Sequence, residues 1–427
     1  MESAAQNQST KCPGQPEPYA LMAKLRLGTS YWLDCAEEAP RVRPALRHNL
    51  EADVAIVGGG VTGCAVAYCL AQSGASVVLL EANRIGHGST AASTALLMQE
   101  PDVDFTDLAA RYGEASARTI WSAGRRAVTD MQRTLRGLQI DANELPSVCV
   151  AQDPEEVAAL RREHQRRRAA RFPARWLTPR AIADLTGIRG GGAILTPGNG
   201  QVDPYNTSLG LATAAETHDA RIFERSPVSR MRKDGGGVTI HVGKRRITAS
   251  WGVVATGYAT PEFKPIAARF RMMNTYVTAT PPLPATVRRS LGLGDVMVWD
   301  RARPYHYLRW TPDNRLLFGG ADRPHEPGSR RSVLPTKAQE LVRDLWALYP
   351  ALAGVEAEYA WEGLFAATPD GLPYIGTHRR YPRHLFALGY GGNGMTFGFM
   401  AARMLARFVD GVSRPEDRLF SFGRTRP

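Results

Sequence analysis

Between Asp53 and Glu81 the hydrophobic pattern changes period twice. Val54, Ala55, Ile56 and Val57 form an unbroken apolar run that stops at Gly58, Gly60 and Gly63. Past the glycines, Val61, Cys64, Ala67, Tyr68 and Ala71 recur at helical spacing, and Val77 to Leu80 form a second apolar run closed by Glu81. The pattern predicts strand, tight turn, helix and strand, with the apolar side of the helix turned to a buried parallel sheet. Residues 54–80 carry no charge and could be mistaken for a membrane span, but five glycines and the polar Thr62, Gln72 and Ser73 interrupt them. Short buried elements of a sheet explain the stretch better than a lipid-facing helix.

The same reading continues along the chain. Helical periods occupy roughly 105–137 and 154–170, and Gly190 to Gly192 turn the chain back toward strands. A helix over 202–220 leads to a short strand at Arg221 to Glu224, and alternating strands at Val238 to Val242 and Ile247 to Val254 flank glycine turns. Strands follow at Tyr276 to Thr278, Val296 to Trp299 and Tyr305 to Trp310, with a hairpin through Asn314 to Leu316, and an amphipathic helix spans 336–348. Near the end, Leu385 to Leu388 enter a second glycine-rich turn, Gly389 to Gly394, before a helix whose inner face holds Phe397, Met400, Ala401, Met404 and Phe408. Ahead of everything, Ser30, Tyr31 and Trp32 belong to an arm expected to lie on the main body.

The glycine spacing gives the first unit a chemical meaning. Gly58 allows the sharp turn, Gly60 lets backbone approach a pyrophosphate, and Gly63 lets helix and strand pack closely. The helix then presents unpaired N–H groups and the positive end of its dipole to phosphates. Glu81 is placed to accept from an adenosine ribose, and its charge disfavours a 2′-phosphate and hence NADP. The small residues of Gly88, Ser89 and Thr90 suit close contact with a flat or anionic ligand, Thr256 and Gly257 end a strand beside the same ligand, and the second glycine turn offers another helix N-terminus.

Composition changes this picture little. With 427 residues, 44% hydrophobic and 22% charged, the chain is globular and long enough for two domains. Residues 1–20 are polar without an apolar signal region and are expected to be a mobile tail. Five cysteines at 12, 35, 64, 69 and 149 lack metal or disulfide spacing, which points to the cytoplasm. The net charge of +12 and the basic run Arg161 to Arg168 could draw nucleic acid, anionic lipid or an acidic substrate. No aromatic platform accompanies the run, so it reads as a solvated helix and nucleic acid is not an expected partner.

Taken together, the two glycine turns and the elements between them make the chain similar to the FAD-dependent amine and amino-acid oxidase superfamily, which includes D-amino acid oxidase, glycine oxidase and monomeric sarcosine oxidase. The likeness covers about residues 28–410, and the Ser30, Tyr31, Trp32 arm resembles members of the γ-glutamylputrescine oxidoreductase type. The resemblance implies an α/β fold: a Rossmann-like FAD-binding domain built from residues 51–105, 195–265 and 355–427, interleaved with a mixed α+β substrate domain from 106–194 and 266–354, after a tail and arm over 1–50. It implies FAD contacts at Gly58, Gly60, Val61, Thr62, Gly63, Glu81 and Ala82, along Gly88, Ser89 and Thr90, at the Val228 backbone, and at Thr256 and Gly257. Gly391, Gly392, Asn393, Gly394, Met395 and Thr396 would meet the flavin pyrimidine edge.

Two departures matter. No cysteine precedes the Thr368, Pro369, Asp370 motif, so the FAD is expected to be non-covalent. No arginine stands between Trp361 and Pro373, which removes the carboxylate partner of D-amino acid oxidase. Substrate contacts are expected instead from Tyr307 and Arg309 on one strand face and from Tyr390, with His306 on the opposite face. No side chain is assigned to catalysis itself, and no metal site is seen. The expected reaction is hydride transfer from a primary or secondary amine or amino acid to flavin, with oxygen as acceptor. A dehydrogenase using another acceptor, a flavoprotein acting on an amine of modified tRNA, and a non-catalytic FAD module are the alternatives.

Overall fold

The computed structural model describes residues 26–36, 41–258, 260–292, 294–302, 304–326 and 330–424. The expected mobile tail over 1–20, with Cys12, lies outside them. Two large sheets organise the chain. In the first, the strands Arg221–Phe223, Val77–Leu80, Leu50–Val57 and Arg245–Gly257 run parallel, and Tyr381–Leu388 continues the parallel order. The early half of Arg245–Gly257 also pairs antiparallel with Gly237–Val242, so this long strand carries a hairpin at one end and the nucleotide unit at the other.

The helix Val61–Gln72 is buried from Val61 to Ala71, not along one face only. It lies between the helices Pro204–Glu216 and Gly394–Val409. Small residues permit this: a Cβ on Gly398 would sit 2.5 Å from the Thr62 hydroxyl, so the two helices that begin at the two glycine turns nearly touch at their first turns. Segments more than 300 positions apart are thereby brought to one place.

Among the described residues the second sheet has nine strands, in the order Arg26–Gly28, Tyr359–Ala367, Arg271–Ala279, Leu316–Pro324, Tyr307–Trp310, Met297–Asp300, Ser147–Ala151, Gly192–Thr196 and Arg175–Leu177. The arm is therefore an edge strand, paired through Arg26 to Gly363 and Gly28 to Trp361. Two details depart from the boundaries drawn on the sequence. Tyr359–Ala367 belongs to this sheet and not to the nucleotide half, because its long apolar run pairs along its whole length with Arg271–Ala279. The helix Glu114–Gly137 packs its Ile120, Trp121, Val128 and Met131 into the same core as Val61–Gln72 and Gly394–Val409.

The basic run occupies the helix Pro154–Ala169, capped by Asp153, whose carboxylate accepts from the Glu156 amide. It is not solvated all round. Arg167 is buried, 4.4 Å over the Trp121 ring, and its Nε donates to Glu163 one turn earlier at 2.7 Å. The same guanidinium lies 3.6 Å from Glu100 and 3.8 Å from Asp104. Within the basic run Arg167 is thus no surface cation, and Arg166 is paired with Glu114 at 2.8 Å. The Thr368, Pro369, Asp370 motif also has a packing role. Burial would raise the Asp370 carboxyl, but Arg424, at 2.7 and 3.0 Å, together with the Tyr112 hydroxyl at 2.6 Å, holds it at about 2. Among the described residues no helix is long and apolar enough to cross a membrane.

Candidate cofactor and substrate site

A cavity of about 1530 Å³ runs between the two sheets, well above the size usual for a single small ligand. At one end stand the glycine turn after Leu50–Val57, Glu81, Ala82 and Val228; at the other stand Tyr390 to Met395 and the face of the nine-stranded sheet. Gly58 and Gly60 belong to that turn, and Val61, Thr62, Gly88, Ser89, Thr90, Thr256 and Gly257 line the length between the two ends. Gly63 and Thr396 do not reach the wall. Gly63 packs: a Cβ there would fall 1.8 Å from the Gly58 carbonyl oxygen. Thr396 donates its hydroxyl to the Met98 carbonyl at 2.9 Å.

The nucleotide end is held by its own backbone. Gly58 adopts φ +109°, and a Cβ would stand 2.6 Å from the Ala255 carbonyl. Glu81 accepts from the Gly59 amide at 2.7 Å and the Asn83 amide at 2.8 Å; burial nevertheless raises its carboxyl above the ordinary value. Thr90 Oγ1 accepts from the Val61 amide at 3.1 Å, and Ser89 Oγ donates to the Leu364 carbonyl at 2.6 Å, so the small-residue loop bridges the helix start and the nine-stranded sheet.

That loop is clamped from behind, carbonyl by carbonyl. Ser30 Oγ donates to Ala91, Trp361 Nε1 to Ala92, Trp32 Nε1 to Ser93, and Arg309 Nη1 to Thr94, at 2.5, 2.9, 2.8 and 2.9 Å. Arg309 also reaches the Val202 carbonyl at 2.7 Å and lies 5.2 Å from the Trp32 ring. The arm, unreadable in the sequence, is the outer half of this clamp.

Arg309 is therefore not a substrate contact. It shares a strand face with Tyr307, as alternation requires, but two residues along the strand carry it under residues 94–95 and out of the cavity. Burial lowers its pKa to about 9, and only carbonyls receive its donors. Arg309→Met is expected to loosen the loop and lower flavin retention about tenfold or more, since a charge-assisted bond contributes about 1.5–3 kcal/mol. Dialysis of the yellow protein against buffer measures it, and a variant that kept its flavin while losing only carboxylated substrates would return Arg309 to the substrate site.

Tyr307 and Tyr390 do line the cavity. The Tyr307 hydroxyl shares a 2.8 Å hydrogen bond with Thr275, and Tyr390 turns its hydroxyl to the Ala387 carbonyl, so its ring, not its polar tip, forms the wall. His306 is outside the lining, stacked 5.2 Å from Phe318, as the alternation predicted. Thr256 donates back to the Tyr258 carbonyl at 2.6 Å.

Several lining residues escaped the sequence reading. Residues 98–102 form a strap laced to the second glycine turn: Asn393 Nδ2 donates to the Glu100 carbonyl at 2.6 Å and to Asp102 at 3.1 Å, and the Gly392 amide donates to Asp102 at 2.6 Å. On the sheet face stand Thr275, Tyr305 and Asp322, and Arg301 lines the wall while paired with Asp104 at 2.9 Å. Asp322 had a readable signal, being an acid that closes an otherwise apolar run from Leu316 to Ala321. Asp102 had none beyond an acidic turn.

The donor set fits a dinucleotide. Side-chain-free backbone surrounds the place for phosphates, a helix N-terminus faces it, an acid stands one strand away, and the cavity extends far enough to carry a ring system to the second glycine turn. No cysteine is among the lining residues. The sequence profile described as FAD dependent oxidoreductase matches residues 53–408. The γ-glutamylputrescine oxidoreductase of Escherichia coli is 30% identical over 378 residues, covering 86% of this chain and 85% of that one. Glycine oxidase of Geobacillus kaustophilus is 26% identical over 370 residues, covering 84% and 93%. The crystal structure of a glycine oxidase from the same organism superposes with a TM-score of 0.77 at 23% identity, over 89% of this chain and all of that one.

Proposed function

The chain belongs to the FAD dependent oxidoreductase family, and from that premise we propose that it oxidises a C–N bond of a small primary or secondary amine or amino acid. The observation that carries the reading is one continuous cavity, running from the glycine cradle at Gly58 and Gly60 to a chamber walled by Tyr305, Tyr307 and Tyr390. FAD, when bound, supplies a two-electron acceptor at its flavin N5: the substrate carbon gives up a hydride, its nitrogen loses a proton, and the imine is hydrolysed by water.

The chain's own residues bind, orient and exclude water. Gly58, Gly60, Val61, Thr62, Glu81, Ala82 and the loop 88–90 would hold the nucleotide, with Val228, Thr256 and Gly257 beside it. The clamp through Trp32, Trp361 and Arg309 fixes that loop. The amides of Gly394 and Met395, at the start of the last helix, would stabilise negative charge on the flavin pyrimidine edge, as pre-oriented donors do. Met273, Tyr307 and Phe365 then wall the place for the substrate carbon. The names of the relatives support the substrate class: the Escherichia coli protein is an oxidoreductase of γ-glutamylputrescine and another is a glycine oxidase.

Anaerobic mixing of the yellow protein with primary amines, secondary amines and N-methyl amino acids tests the reading; at least one class is expected to bleach the flavin. Admitting air then separates oxygen from another acceptor by the speed of recovery. Acid precipitation is expected to leave a colourless pellet and a yellow supernatant, since no cysteine among the described residues lines the cavity; colour bound to the pellet would mean covalent flavin. A flavin that no amine bleaches sinks the proposal.

A further inference from the structure

The chain carries a net charge of +12, yet its cavity is acidic. Among the described residues, Glu81, Glu100, Asp102, Asp104, Asp107 and Asp322 line it, with one arginine, Arg301. Glu81 serves the nucleotide end, and Asp104 is engaged by Arg301 at 2.9 Å. Asp102 and Asp322 stand at the other end, beside the second glycine turn and on the sheet face. Neither has a side-chain cation within ion-pair distance among the described residues.

Asp322 is the more telling of the two. Its Oδ1 is buried without a hydrogen-bond partner, while the Thr275 side chain supports the carboxylate. The positive group nearest in effect is the His306 ring, and that ring is already held by Asp300 at 2.8 Å and Asp344 at 3.5 Å. Asp102 accepts from Gly392 and Asn393 and is exposed on the cavity wall. Desolvation at the cavity wall raises both carboxyls, Asp322 to about 6, and the nearby charge of Asp322 also pushes Asp102 upward. A buried acid without a counter-ion costs stability, so a fold that keeps one in a ligand chamber holds it for a charge that arrives from outside.

We propose that this end of the cavity is a subsite for a second positive charge on the substrate, so that the amine oxidised is one end of a diamine or polyamine whose other ammonium rests on Asp322, with Asp102 opposite and the Tyr305 and Tyr307 rings beside it. The two rings lie 5.8 Å apart in the cavity wall, where an aromatic face attracts a cation. The inference rests on the amine-oxidation reading but makes a separate demand on charge: matched chains that differ only at the far end should bind in the order cation, neutral, anion.

The test uses the FAD-loaded protein and three four-carbon probes, 1,4-diaminobutane, butylamine and 4-aminobutyrate, followed anaerobically by flavin absorbance and by melting temperature. The diamine is expected to half-saturate at a concentration roughly tenfold or more below butylamine, the size of one charge-assisted contact, with 4-aminobutyrate weakest. Asp322→Asn should collapse the diamine-to-butylamine ratio toward one, remove the diamine's effect on melting, and raise the melting temperature of the ligand-free holoprotein at pH ~8, because it deletes an unpaired charge. Equal binding of diamine and butylamine by the unaltered protein, or tightest binding of 4-aminobutyrate, would overturn the subsite even if the variant failed to fold. If the diamine perturbs the flavin spectrum through Asp322 but no probe bleaches it, the subsite holds and the amine-oxidation reading falls. Bleaching without charge preference does the reverse, sustaining amine oxidation and removing the subsite.

Discussion

Alanine at Gly58 is expected to give a protein that does not retain flavin. Gly58 sits at φ +109°, and a Cβ would meet the Ala255 carbonyl oxygen at 2.6 Å and its carbon at 2.9 Å, both rigid backbone of the neighbouring parallel strand. Backbone strain of about 1–3 kcal/mol and overpacking of about 1–3 kcal/mol both act on the turn that must approach the pyrophosphate. Together they amount to roughly 2–6 kcal/mol, or a loss of about thirtyfold or more in flavin affinity if most of it falls on the bound state. The ratio of flavin to protein absorbance after desalting measures the effect. Gly74→Ala is the control: Gly74 has φ +91°, but a Cβ there meets nothing within 4 Å, so it should lose stability without losing colour. Normal flavin content in the Gly58 variant would show that the cradle is not where the nucleotide lies.

Removing the Arg167 guanidinium is expected to be the most damaging single change outside the cofactor cradle. It is 2% exposed and compensates Glu163, Glu100 and Asp104 within 4 Å. Arg167→Met keeps the length of the side chain but leaves buried carboxylates unpaired, a cost of about 3–5 kcal/mol. Arg166→Gln, which loses a pair between side chains more than 40% exposed, should cost no more than about 1 kcal/mol, and Arg168→Gln about 0.5 kcal/mol. Urea unfolding of the three variants ranks them. Burial pushes the Glu163 carboxyl up, but the Arg167 charge more than offsets it and holds it below the ordinary value. A depressed carboxyl contributes stability above its unfolded pKa and loses it as pH falls through the folded one, so the gap between wild type and Arg167→Met should narrow below pH ~4. Equal stability of all three variants at neutral pH would mean that the run is solvated throughout. Because Glu100 and Asp104 also bound the cavity, the Met variant should disturb the strap over 98–102 and with it the second glycine turn, which Asn393 ties to Glu100.

Charge shows most clearly where reading a sequence stops. An excess of arginine along the chain suggests attraction for acidic substrates, yet Arg309 is spent on loop carbonyls, Arg167 on three acids, Arg424 on Asp370 and Arg301 on Asp104. Among the described residues, what remains facing the ligand is acidic. A formal sum over the chain cannot report this, since it weights an arginine at the surface and one that is buried and paired alike.

Sequence by itself determined the nucleotide unit: strand, glycine turn, helix and closing acid at Glu81. Each of those features depends on residues a few positions apart, through side-chain period and the φ values only glycine reaches without strain. It also located the second glycine turn and the helix after it. Only the tertiary structure decided that the two turns share one cavity, that Arg309 faces Thr94, 215 positions away, and that one buried oxygen of Asp322 is left without a partner. Those outcomes turn on which distant groups arrive beside a side chain and which water they displace, and no local pattern encodes either.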